Sequence, residues 1–181
     1  MLAYLKKHGP SFQNHALKIT FTRSARLVVI EFQVQKRLGP PWQIDPQFST
    51  EDYLKNWGLW NKDVVEAFLQ LRAHEGDLAA PYLEIQVSPL NQPFALIIKE
   101  PRKVYYPPEA LVLKTEVTLT DKLWTGRMEV ELPPDLSGEQ LWGGLFSCLA
   151  TGPREYYALH PNPEENPDFH RPELFLRLDE V

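Results

Sequence analysis

The sequence predicts an all-β fold, an antiparallel β-sandwich with at most one or two short helices. Seventeen prolines and nine glycines divide the 181 residues into short segments, which are rich in the valine, isoleucine, leucine, phenylalanine and threonine typical of strands. No long helical pattern alternates with these segments, so a sandwich is favoured over a parallel α/β sheet. No repeat or hinge marks a second domain, and we predict a single domain over residues 1–181.

Five strands are predicted before the proline pair that follows Tyr106. The clearest alternates apolar Leu83, Ile85 and Val87 with polar residues, so one face is expected to build core and the other to be free for recognition. In this part of the chain a helical turn fits between the second and third strands, over Glu51–Trp57, with Ser49 or Thr50 as its cap. The five strands are Ala16–Arg23, Leu27–Gln35, Val64–Leu71, Tyr82–Ser88 and Phe94–Lys99.

Five more strands are predicted after that proline pair. Within the second of them, Met128 alternates with Val130 and Leu132, as core-facing residues do. The turn Leu132-Pro-Pro-Asp ends that strand, and Pro134–Leu141 is the second place where a helical turn fits. The five strands are Leu111–Thr118, Trp124–Leu132, Gly144–Ala150, Tyr156–Leu159 and Leu174–Leu178.

Composition and charge exclude several classes of function. The net charge is −5 and the lysines and arginines are scattered, so a nucleic-acid partner is not expected. No segment reaches the ~18 to 20 apolar residues of a membrane helix, so no membrane contact is expected. The N-terminus shows no signal peptide, which predicts a cytoplasmic location. The single cysteine, Cys148, excludes an internal disulfide framework and is predicted to be a buried, inert thiol.

Motifs for catalysis are missing from the sequence. There is no glycine-rich phosphate loop, G-x-S-x-G elbow, H-E-x-x-H or Cys-x-x-Cys. Glu66 and Glu84 fall on adjoining predicted strands, and paired carboxylates can hydrolyse glycosides, but this chemistry requires a spacing and a pKa difference that the sequence does not show. We therefore predict that the protein is not an enzyme.

The segment His160–His170 combines two histidines with three carboxylates in a proline-rich loop. The oxygens of Glu164, Glu165 and Asp168 suit calcium, whereas the histidines suit zinc or nickel, so the mixture matches neither ligand set. A solvated loop without a metal is predicted, and a bound cation stays an open alternative.

Aromatic residues give a stronger indication of function. Five tryptophans occur, Trp42, Trp57, Trp60, Trp124 and Trp142, and aromatic faces stack on the C–H faces of sugar rings while carboxylates and amides bind hydroxyls. Trp60 is distinctive because it adjoins Asn61, Lys62, Asp63 and Glu66, a polar setting unusual for a core aromatic residue.

Three motifs carry a family resemblance from about Thr50 to the C-terminus. They are Leu59–Leu69 (LWNKDVVEAFL), Tyr82–Pro89 (YLEIQVSP) and Pro167–Phe175 (PDFHRPELF). Together they resemble family 9 carbohydrate-binding modules and their DOMON-like relatives. The resemblance implies an immunoglobulin-like β-sandwich that clamps a terminal sugar between two aromatic side chains, with charged and amide groups on its hydroxyls.

The same resemblance assigns roles to individual residues. It makes Trp60 and Phe169 the two clamp aromatics and Gln86 a polar strand residue that reaches the ligand. Phe169 replaces the usual tryptophan, and Gln86 replaces an arginine whose bidentate charged donor a glutamine cannot supply. The full predicted ligand-binding set is Trp60, Asp63, Glu66, Glu84, Gln86, Asn166 and Phe169.

We therefore predict a non-catalytic binding protein for a mono- or oligosaccharide or a similar small polar ligand. The alternative is an intracellular protein-interaction module that kept the sandwich and lost the sugar site. No cofactor is expected. Some DOMON relatives bind haem through methionine and histidine, but here Met1 and Met128 are the only methionines.

Overall fold

The computed structural model describes residues 2–4, 6–7, 16–22, 26–35, 41–149, 154–160 and 168–179. Within these residues the chain forms strands and three single-turn 3₁₀ helices, with no α-helix. No described helix has the length and apolar character needed to cross a membrane. The strands are β1 Leu2–Tyr4, β2 Lys6–Lys7, β3 Ala16–Thr22, β4 Leu27–Gln35, β5 Val64–Arg72, β6 Tyr82–Val87, β7 Pro93–Glu100, β8 Val104–Tyr106, β9 Val112–Leu119, β10 Leu123–Glu131, β11 Gln140–Leu149, β12 Glu155–Ala158 and β13 Leu176–Arg177.

Two antiparallel sheets form the architecture, which confirms the predicted β-sandwich. The five-stranded sheet has the order β1, β3, β4, β10, β9. The eight-stranded sheet has the order β2, β12, β11, β5, β6, β7, β8, with β13 also paired to β11. Strands β5 and β6 lie at the centre of the larger sheet, so side chains on them occupy its most protected positions.

The main core lies between the two sheets. Alternate residues of β10 point into it, and the ring of Trp124 meets Phe32 edge-on at 5.2 Å and Trp42 at 6.0 Å. Met128 is fully buried in the same core, as its alternation with apolar neighbours predicted. Each large apolar side chain buried in this way stabilises the fold by about 1.5–3 kcal/mol.

A second apolar cluster covers the outer face of the larger sheet. Phe68, Tyr82, Phe94 and Phe146 are buried there. All residues of β5 and β6 are therefore buried, whereas the sequence predicted one core face and one free face. Burial of the second face explains how polar residues on β5 and β6 come to lie inside the protein.

Several element boundaries differ from the prediction. The 3₁₀ helix Tyr53–Lys55 lies in the predicted helical segment, but its cap is Asp52, whose side chain accepts from the Leu54 N–H at 3.0 Å. No helix forms at Pro134–Leu141, since β11 already begins at Gln140. The predicted strand Leu174–Leu178 is short, because Pro172–Leu174 forms a 3₁₀ turn instead.

Candidate functional site

A cavity of about 570 Å³ lies on the outer face of the eight-stranded sheet. Its floor consists of side chains from the central strands, including Glu66, Glu84 and Gln86. These three polar residues are 4%, 6% and 1% exposed. A concave surface with a few convergent polar groups in an apolar surround is the usual form of a small-ligand site.

The strand register fixes the order of side chains across this floor. Phe146 pairs with Glu66, Glu66 with Gln86, and Gln86 with Phe94. Neighbouring strands lie about 4.8 Å apart, so about 14 Å separates the backbones of the two terminal phenylalanines. The carboxylate and the amide therefore lie in a row between two aromatic residues.

Glu84 lies in the adjacent row, because it pairs with Phe68 on β5. It is thus the diagonal neighbour of Glu66 on the same face, a position from which long side chains interact. The Gln86 Nε2 donates to Glu84 Oε1 at 2.6 Å. The Gln86 Oε1, in contrast, is buried and has no hydrogen-bond partner among the described residues.

Burial dominates the electrostatics of the two carboxyl groups. Desolvation, reinforced by the nearby charge of Glu84, raises the pKa of Glu66 to about 8, although Arg154 and Cys148 act in the opposite direction. Desolvation also raises the pKa of Glu84 to about 7, against the lowering effect of its hydrogen bond from Gln86. Both groups therefore exchange protons near neutral pH.

Burial likewise raises the pKa of the Cys148 thiol, which lies on β11 beside Glu66. Cys148 is a free, buried cysteine, as the sequence predicted. A thiol held in its protonated form is a poor nucleophile and a poor metal ligand.

Aromatic rings form one wall of the cavity. Trp57 meets Trp60 edge-on at 5.0 Å and lies at 5.6 Å from Tyr105, and Trp60 packs against Phe94 at 5.5 Å. Trp57 and Tyr105 are 56% and 46% exposed, so their rings remain accessible from solvent. Gly58 lies between the tryptophans with a φ of 90°, a left-handed conformation that glycine adopts without strain.

Buried amides hold this wall in place. Asn56 is fully buried; its Nδ2 donates to the carbonyls of Ser49 and Pro93, and its Oδ1 accepts from the Ser49 N–H. Gln92 similarly donates to the carbonyls of Asp45 and Phe48. These hydrogen bonds connect the segment that carries Trp57 and Trp60 to the start of β7.

The segment from Asp168 to His170 forms the opposite wall. Phe169 stacks on Phe146 at 4.0 Å, and His170 stacks on Phe68 at 4.9 Å. The His170 Nδ1 shares a hydrogen bond of 2.8 Å with the Tyr82 hydroxyl. Burial lowers the pKa of His170, so its neutral form is favoured.

Two arginines also line the cavity. Arg154 donates to the backbone carbonyls of Trp60 and Lys62, and Arg102 forms an ion pair of 2.6 Å with Asp168. The predicted set contained no arginine because Gln86 takes the arginine position, but other parts of the chain bring these two arginines to the cavity. Neither had a sequence signal, since both reach the cavity from outside the three motifs.

The structure brings five of the seven predicted ligand-binding residues to the cavity: Trp60, Glu66, Glu84, Gln86 and Phe169. Asp63 does not line it; this residue is fully buried, and its carboxylate accepts from the Gln43 N–H at 2.9 Å. Asn166 lies outside the described residues. The prediction missed Trp57, Asn61, Arg102, Tyr105, Arg154, Tyr156 and His170, which also line the cavity.

The loop before His170 was the candidate cation site. Glu164 and Glu165 lie outside the described residues. In the described part of the chain, no group of three or more histidine, cysteine, aspartate or glutamate side chains could hold a metal ion. Asp168 instead binds Arg102 and accepts from the His170 N–H.

Comparisons with known proteins identify the fold. No protein-family model and no curated protein matches the sequence. Two solved structures of a family 9 carbohydrate-binding module from Caldicellulosiruptor kristjanssonii, one in complex with cellotriose and one with glucose, are similar in fold. Each module shares 14% sequence identity with this chain. The alignments cover 96% of this chain and 80% and 81% of the module, with TM-scores of 0.56 for the cellotriose complex and 0.55 for the glucose complex. The chain thus has the β-sandwich fold of these modules, and a relation to DOMON-like proteins stays a prediction.

Proposed function

We propose that this protein binds a carbohydrate in the cavity above Glu66, Glu84 and Gln86, without catalysing a reaction. The observation that carries the proposal is the combination of accessible aromatic rings with a buried row of carboxylate and amide groups. Sugar rings present apolar C–H faces and hydroxyl edges, and both kinds of surface find a partner here.

The two walls favour a ligand placed between Trp60 and Phe169. Trp60 packs on Phe94 at one end of the floor, and Phe169 packs on Phe146 at the other. A sugar between them would contact an aromatic ring at each side and place hydroxyls over Glu66 and Gln86. The aligned modules were solved with cellotriose and with glucose, which supports a saccharide as the class of ligand.

The properties of the two carboxyl groups support binding without catalysis. Acid–base catalysis by a carboxyl pair relies on environments that push the two pKa values apart, so that one group is an acid while the other is ionised. Burial instead raises the pKa of both, Glu66 to about 8 and Glu84 to about 7. The pair is thus suited to hydrogen bonding with a ligand.

A protein-interaction module remains the competing function, and the exposed rings of Trp57 and Tyr105 are the feature that fits it. Protein interfaces are flatter than ligand pockets and have few charged groups at their centre. A cavity with two carboxyl groups and an amide at its floor favours a small polar ligand.

Isothermal titration calorimetry with glucose, cellotriose and other mono- and oligosaccharides tests the proposal. We expect saccharide binding that Trp60→Ala weakens at least tenfold, since the lost ring supplies the stacking contact. Leu54→Ala is the matched control, because Leu54 is an exposed apolar residue, 49% accessible, on the same segment and is not among the cavity-lining residues. Absence of binding to every saccharide, or equal affinities for wild type and Trp60→Ala, would contradict the proposal.

A further inference from the structure

We propose that this site, taken as the saccharide site above, prefers a ligand with a protonated amino group, whose ammonium binds among Glu66, Glu84 and the Gln86 Oε1. The ligand class is an amino sugar, and the inference rests on the proposed function. A preference for a positively charged ligand is a property that the fold alone does not specify.

The floor of the cavity presents acceptors rather than donors. The Gln86 Nε2 is already used by Glu84, so the atom that the amide leaves free is its carbonyl oxygen. That oxygen has no partner among the described residues although Gln86 is only 1% exposed. A buried acceptor without a donor destabilises the unliganded protein, and a donor from a ligand would recover that loss.

An ammonium group matches this arrangement better than a hydroxyl. It has three donor hydrogens and no acceptor lone pair, whereas ionised carboxylates are acceptors only. Hydrogen bonds between charged partners are roughly twice as strong as those between neutral ones. Glu66 lies opposite Gln86 on the neighbouring strand, and Glu84 lies two residues before Gln86 on the same face, so one cation placed among them can interact with all three.

The cationic side chains of the cavity do not take this role. Arg154 donates to the carbonyls of Trp60 and Lys62, and Arg102 pairs with Asp168. The field of Arg154 lowers the pKa of Glu66, but desolvation and Glu84 outweigh it. The two carboxyl groups thus lie in a partly apolar site that a ligand cation can complete.

His170 is also unsuited to neutralise Glu84. Its Nε2 lies 3.9 Å from Glu84 Oε2, but burial lowers the pKa of this imidazole. Its Nδ1 is shared with the Tyr82 hydroxyl. The neutral ring packs against Phe68 and supplies no positive charge to the ionised form of Glu84.

The aromatic wall adds a second source of preference for a cation. Trp57 and Trp60 line the same cavity as the two carboxyl groups. The faces of tryptophan rings attract cations within about 6 Å, and the attraction is strongest at sites shielded from water. An amino sugar can therefore stack its ring and place its charge in one binding mode.

Proton release is the signature of this binding mode. Glu66 and Glu84 hold protons near neutral pH, and a ligand ammonium favours their ionised forms, so binding should expel a proton. The charged or titratable groups that face the pair are Arg154, Cys148, His170 and Tyr82, with Arg102 and Asp168 farther along the wall. None of them is changed in the variants used below.

Calorimetry at pH about 7 with glucosamine, N-acetylglucosamine and glucose tests the inference. We expect glucosamine to bind at least tenfold more tightly than glucose and N-acetylglucosamine. Buffers of different ionisation enthalpy should show proton release with glucosamine only. Glu66→Gln and Glu84→Gln, each checked for folding by circular dichroism, should lower the affinity for glucosamine by a larger factor than the affinity for glucose.

The possible failures are distinguishable. If glucose binds and glucosamine binds no more tightly, the inference is wrong and the proposed function stands. The inference is also wrong if both glutamine variants keep the full preference. If no saccharide binds at all, the proposed function fails and the inference fails with it.

Discussion

Replacement of Glu66 by glutamine should change how the stability of this protein depends on pH. The pKa of Glu66 is raised from 4.5 to about 8 in the folded chain, mainly by burial. The folded state therefore holds a proton that the unfolded chain releases above pH 4.5. As the pH rises from the unfolded to the folded pKa, the folded protein must bind more protons than the unfolded one, so the free energy of unfolding falls.

The size of this effect follows from the pKa shift. Each pH unit within the interval lowers the free energy of unfolding by about 1.4 kcal/mol. From pH 4.5 to pH 7, about 2.5 units, the loss is roughly 3 kcal/mol. Glutamine has the same shape and no charge, so the Glu66→Gln variant should gain about 3 kcal/mol relative to the wild type over that range.

Urea denaturation followed by tryptophan fluorescence at several pH values from 4.5 to 8 measures this difference. Glu131→Gln is the matched control, because Glu131 is an exposed residue at the end of β10. The control should keep the wild-type pH dependence. A constant difference between Glu66→Gln and the wild type at every pH would refute the argument that a buried, protonated Glu66 lies on the cavity floor.

Two further experiments test residues around the site. Asn56→Ala leaves the backbone groups of Ser49 and Pro93 without their buried partner. It should therefore lower the free energy of unfolding by about 2–4 kcal/mol and weaken saccharide binding. A loss of stability below about 0.5 kcal/mol would contradict this supporting role of Asn56. Cys148 should resist a thiol reagent such as DTNB in the folded protein and react in denaturant, because burial raises its pKa and blocks access; rapid labelling of the native state would contradict this.

Most of the fold could be predicted from the sequence, because each strand shows a local pattern of apolar residues. Short apolar segments between prolines marked most of the observed strands, and Leu27–Gln35 matches β4 in full. Short edge strands such as β8, Val104–Tyr106, carry too few residues for a pattern. The buried outer face of β6 was not predicted, because loops distant in sequence cover it.

Only those site residues that belong to a sequence motif or to one face of a predicted strand could be predicted. Glu66, Glu84 and Gln86 lie on one face because alternation along β5 and β6 requires it. Asp63 belongs to the same motif as Glu66, but its carboxylate binds the backbone of Gln43 instead. Arg154 reaches the cavity through tertiary packing, a long-range contact that no local pattern encodes.

The most direct test of carbohydrate binding is the response of the tryptophan indole N–H signals in a ¹⁵N–¹H NMR titration with cellotriose. The chain has five tryptophans, of which Trp57 and Trp60 line the cavity. Trp42 and Trp124 are buried in the main core, and Trp142 packs against Arg72. With signals assigned from single Trp→Phe variants, we predict that those of Trp57 and Trp60 shift and the other three stay in place. Unchanged spectra, or shifts confined to the other three, would contradict the account.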